Sequence, residues 1–115
     1  MNHRQQQTRQ MLGKKVHIRI DRPVGYLHKG MVYSVNYGYI PGLIAGDGEE
    51  QDVYLLGIPT PVSEFDGVVI AAVLRNDDVE DKLIAAPEGM TFTRDQIAQA
   101  VHFVEQFFDS TIILA

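Results

Sequence analysis

The 115-residue chain has no cysteine. That excludes disulfides, thiolate nucleophiles and cysteine-ligated zinc, and it suits a reducing compartment such as the cytoplasm. Long apolar runs are also missing. No window approaches the ~18–20 continuous apolar residues of a membrane span, and no opening stretch has the form of a secretion signal. Positive charge is scarce beyond the start of the chain. Residues 1–31 hold seven of the ten Lys and Arg and one acid, Asp21, whereas residues 32–115 hold three cations and fourteen acids. The net charge of −5 disfavours nucleic acid and anionic membrane as partners. An apolar share of 45% is enough for one packed core, so a single small domain is expected.

Residues 1–11 are polar and Gln-rich without an apolar period, and they read as an N-terminal tail, with the domain over 12–115. From Lys15 the pattern alternates, with Val16, Ile18 and Ile20 set against Lys15, His17 and Arg19, the period of a half-buried strand. Pro23 and Gly25 end that strand. A second strand is expected over Met31–Ile40, closed by Pro41-Gly42, and further strands over Asp52–Gly57, Gly67–Leu74 and Lys82–Ala86. The period then changes. Thr93 and Gln96 form a capping-box pair, and Ile97, Val101, Val104 and Phe108 recur at helical spacing, predicting a helix over 94–108. Ile112–Leu114 reads as a short last strand. Several strands followed by one helix give a mainly β (α+β) domain, a small barrel with one C-terminal helix against it.

Chemistry concentrates between the strands. Asp47-Gly48-Glu49-Glu50-Gln51-Asp52 gathers four carboxylates in one short connection, where Gly46 and Gly48 permit a tight turn. Such crowding is repulsive, and a hard divalent cation such as Mg²⁺ is its natural partner. An EF-hand is excluded, because the sixth loop position is Asp52 instead of Gly and both flanks are strands. A second acidic run, Asp77-Asp78-Val79-Glu80-Asp81, leads into Lys82-Leu83. His17, His28 and His102 read as surface residues. Tyr37 is either a core tyrosine with a satisfied hydroxyl or a group that orients Asp52.

Asn36-Tyr37-Gly38-Tyr39-Ile40, followed by the Asp47–Asp52 run, resembles the signature of the family I soluble inorganic pyrophosphatases, an Asn-Tyr-Gly-Tyr/Phe-Ile strand and then Asp-Gly-Asp-Pro-x-Asp. Asp47, Glu49 and Asp52 stand on the three acidic positions, Glu49 in place of Asp. The resemblance continues at Asp77–Leu83 and reaches back to Ile20-Asp21-Arg22-Pro23-Val24-Gly25, so it covers roughly residues 16–108. It is closest to a compact bacterial variant of the family.

The resemblance implies an OB-like five-stranded β-barrel and Mg²⁺-dependent hydrolysis of diphosphate in a cytoplasmic homo-oligomer. Two or more Mg²⁺ ions would sit on Asp47, Asp52, Asp78 (or Asp77) and Asp81, with Glu49 and Asp47 activating the water. Lys82 falls on a phosphate-binding position. The family's helical Tyr-Lys pair, however, falls on Phe108-Asp109, neither of which donates to phosphate. Arg22, Lys29 and Lys82, with Tyr37, are the substitutes for substrate binding, and His28 is also available. Two alternatives accompany this reading, a related phosphoanhydride hydrolase and a non-catalytic binder of metal and phosphate.

Overall fold

The structure is a computed structural model describing residues 3–77 and 80–115. Its elements in order are α1 (His3–Gln10), β1 (Lys15–Arg22), β2 (Leu27–His28), β3 (Met31–Val32), β4 (Asn36–Ile44), β5 (Glu50–Leu55), β6 (Glu64–Arg75), β7 (Asp81–Ala86), α2 (Arg94–Glu105) and β8 (Ser110–Leu114). The main sheet runs β1-β4-β5-β7-β6-β8, and a further β1–β6 pairing closes its first five strands into a barrel. This is the expected five-stranded barrel. β8 lies outside the ring, on the second half of the long strand β6.

Burial on both faces explains why the central strands read as continuous apolar runs. Ile18, Val53, Leu55, Val69, Leu83 and Ala85 fill the barrel. The alternate residues Tyr54, Ile84, Ala71 and Val73 point outward and receive Ile97 and Val101 of α2. Thr93 and Gln96 make the reciprocal capping box that starts this helix. It stops at Glu105, short of the expected 108, and Phe107 and Phe108 lie beyond it.

Three local departures from the sequence expectation have physical causes. The 31–40 strand is two strands, because Met31–Val32 pairs back on Leu27–His28 through a two-residue turn. Lys29 and Gly30 there both have positive φ, 52° and 79°, the conformation a tight hairpin favours. β4 continues through Pro41-Gly42 to Ile44, with a register irregularity against β5 that accommodates the proline. The expected polar tail contains α1, built from good helix formers such as Gln and Arg. Its anchor is polar: the buried Thr8 hydroxyl donates to Asp81 Oδ2 at 3.1 Å.

Two residues of the signature strand serve the fold. Gly38 faces β1 so closely that a Cβ would overlap the Arg19 carbonyl. Fully buried Asn36 donates to the carbonyls of Ile58 and Thr60, while its Oδ1 accepts from the amides of Val24 and Val62.

Candidate functional site

The acidic loop connects antiparallel β4 and β5. Two turn bonds shape it, Ala45 N to Glu49 O at 2.7 Å and Gly48 N to Ala45 O at 3.0 Å, with Gly48 at φ 86°. Asp47 Oδ1 accepts from the Glu49 amide, and Glu50 Oε2 accepts from the Gly42 amide. β5 pairs in parallel with β7, so the starts of both strands, each preceded by acidic residues, lie side by side. The result is a surface depression of about 300 Å³ lined by Tyr39, Asp47, Glu49, Glu50, Asp52 and Glu80.

Lys82 closes the inner wall of this depression. Its Nζ donates to Asp52 Oδ2 at 2.6 Å, Glu80 Oε2 at 2.8 Å and Tyr37 OH at 2.9 Å, which uses all three ammonium protons. The side chain is only 5% exposed. Desolvation lowers the Lys82 pKa, but Tyr37, Asp52 and Glu80 together outweigh it, so the group lies above the ordinary lysine range and stays charged. Burial pushes the Tyr37 phenol up, and Asp52 adds to that shift against the pull of Lys82.

Arg22 approaches Tyr37 from the other side. Its Nη1 donates to Tyr33 OH at 2.6 Å, and the guanidinium lies 5.5 Å from the Tyr33 ring centroid and 5.7 Å from that of Tyr37. Lys29 is exposed in the hairpin turn. Slight desolvation, then Arg22 and Lys29, lower the pKa of His28, so three basic groups share this end of the molecule.

The structure brings Asp47, Glu49 and Asp52 together and sets Lys82 and Tyr37 behind them. Asp78 lies outside the described residues. Asp77 accepts from the Asp109 amide and does not line the depression. Asp81, also expected beside the cations, is placed differently from the loop acids. It is 5% exposed, turned from the depression toward Thr8, and its Oδ1 accepts from the Arg75 amide. Strand alternation is the reason: Glu80 and Lys82 share one face, and Asp81 takes the other. Among the described residues, Glu80 is the acid of this run that lines the depression. The period-two rule applied backward from Lys82 identifies Glu80, just as Glu50 shares its face with Asp52.

The donor set fits a hard divalent cation. Five carboxylates supply only oxygen donors, as Mg²⁺ prefers. Among the described residues no three His, Asp or Glu side chains converge into a finished metal cluster, so the fit lies in donor chemistry and charge.

Comparison with known proteins gives one answer. The family pattern described as inorganic pyrophosphatase matches residues 4–112. The inorganic pyrophosphatase of Caulobacter vibrioides is 30% identical over 84% of this chain and 67% of its own length. That of Saccharolobus solfataricus is 38% identical over 64% of this chain and 44% of its own length, so the chain spans less than half of the archaeal relative. Among solved structures, the Ehrlichia chaffeensis inorganic pyrophosphatase superimposes with a TM-score of 0.71 at 18% identity, covering 90% of this chain and 87% of that one. The Coxiella burnetii enzyme gives 0.66 at 16%, with 90% and 86% covered. Matched over almost its whole length, the chain belongs to the inorganic pyrophosphatase family.

Proposed function

We propose that the acidic depression hydrolyses inorganic diphosphate to two phosphates with the help of Mg²⁺. The observation that carries this reading is the gathering of five carboxylates on one wall, backed by a buried ammonium, in a chain of this family. Asp47, Asp52 and Glu80 would hold the cations, with Asp78 as a further ligand. When bound, Mg²⁺ would supply an acidified water and positive charge beside the leaving phosphate. Glu49 and Asp47 would orient the attacking water and accept its proton, with the Asp47 carboxylate held by the Glu49 amide. Arg22 and Lys29 would bind phosphate oxygens, and Lys82, steadied by the phenol of Tyr37, would join them only by exchanging one of its three present bonds for a phosphate oxygen. Arg22 suits a paired contact, because a guanidinium meets two oxygens at once.

The same reading makes the active form a cytoplasmic homo-oligomer. None of the described helices is long and apolar enough to cross a membrane.

The test is phosphate release from diphosphate with Mg²⁺ varied, and with triphosphate and nucleotides as competitors. Asp52→Asn should nearly abolish release while leaving the far-ultraviolet circular dichroism native. Wild-type turnover in that variant would remove the assignment. Preferential hydrolysis of triphosphate would move the substrate to another phosphoanhydride.

A further inference from the structure

Glu80 is held from two sides. Lys82 donates to its Oε2 at 2.8 Å, and Arg75 Nη1 reaches the same oxygen at 3.4 Å. Arg75 is 4% exposed, at the end of β6, and a second acid also engages its fork. Its Nε and Nη2 donate to Glu105 Oε1 and Oε2 at 3.2 and 2.8 Å. Glu105, in the last turn of α2, is 7% exposed and also accepts from Tyr54 OH at 2.6 Å. Phe108 lies flat on the guanidinium, 3.6 Å from its carbon to the ring centroid. The charges therefore alternate from helix to depression: Glu105, Arg75, Glu80, Lys82, Asp52.

We propose that Arg75 is a positioning residue for the cation site, set by Glu105 and Phe108, so that the C-terminal end of α2 fixes Glu80 on the wall of the depression. The inference rests on the depression being a cation site. Glu105 has a definite part in it. By balancing the Arg75 charge it leaves the Glu80 carboxylate available to a cation. Neutralising Glu105 frees Arg75 to lean further on Glu80, where it and Lys82 compete with any bound ion. The Phe108 ring, at a position where the family's phosphate donors were expected, acts instead as the lid of this pair.

Mn²⁺ binding to the full chain, followed by the electron paramagnetic resonance of the free ion, tests the proposal without reference to turnover. Loss of an outer partner of a metal-holding carboxylate typically weakens affinity by roughly 10–100-fold, and that is the rise in Kd expected for Glu105→Gln. Arg75→Lys keeps the charge but loses the fork, and should show a rise of the same order. Val101→Ala, in the α2 core and outside the network, serves as a control for stability. It should lower the urea midpoint and leave Kd within about twofold, since the site keeps all its partners. If Arg75→Lys proves unfolded, Glu105→Gln decides. Wild-type Kd in folded Glu105→Gln or Arg75→Lys overturns the positioning role alone. Equal Mn²⁺ binding by wild type and Asp52→Asn overturns the cation site, and the positioning role with it.

Discussion

Buried protons dominate at the scale of single residues. Tyr54 is pushed up by burial and then by Glu105, and Tyr37 is pushed up by burial, while Lys82 is raised by its partners despite burial. All three keep their protons in the folded chain at a pH where the unfolded chain gives them up. The unfolded state then binds fewer protons, so stability falls as pH rises. For Lys82 the stabilisation is complete below its ordinary value of 10.5 and is lost as pH climbs through the higher folded value. Urea midpoints measured from pH 8 to 11 should therefore hold until about pH 10 and then decline, tyrosine and lysine titrating together. Lys82→Met should flatten its share of that decline. A midpoint that rises with pH in this range would contradict the proton assignment.

Elements differ in how far they could be read from residues. β1 and α2 were legible because one face of each is apolar and the other wet, and the capping box marked the start of α2. β7 was legible to within one residue, whereas the start of β6 was not, since residues 64–66 are exposed or half-buried and lie outside the apolar run that marked the strand. α1 escaped notice because it carries no apolar stripe, and a buried polar anchor such as Thr8 to Asp81 leaves no periodic trace. The acidic loop was legible as a cluster of carboxylates. That Glu80 lines the same depression was not, because a family motif drew attention to the neighbouring Asp81, and only strand parity separates the two. The α1 anchor makes a prediction of its own. Thr8→Val keeps shape but deletes the donor to Asp81, and a hydrogen bond to a charged group contributes about 1.5–3 kcal/mol. Urea unfolding should show a loss of that size, largely restored in Thr8→Ser. An unchanged midpoint in Thr8→Val would mean that α1 is held by its packing alone.

The whole molecule exposes 6259 Å², close to the ~6300 Å² expected of a monomeric protein of this mass. A homo-oligomer would draw its contacts from this exposed surface. Of the three phenylalanines at the end of α2, Phe103 packs on Tyr33, Phe108 covers Arg75, and Phe107 is left 71% exposed. In the proposed homo-oligomer, Phe107→Ser should shift light scattering toward smaller species while the urea midpoint of the dissociated chain stays within about 0.5 kcal/mol, as for other surface changes. A wild type that is monomeric at micromolar concentration would reject the assembly. The parallel β5–β7 pairing also divides the molecule into two poles. Both acidic connections leave from the pole where these strands begin, whereas Pro87–Phe92 follows the end of β7 at the other. The second pole carries Glu88 and Gly89 on the surface, free of any part in the depression. In a chain without cysteine, a thiol introduced at Glu88 would be a unique handle, able to carry a dye, a tether or a fused domain while the working pole faces the solution.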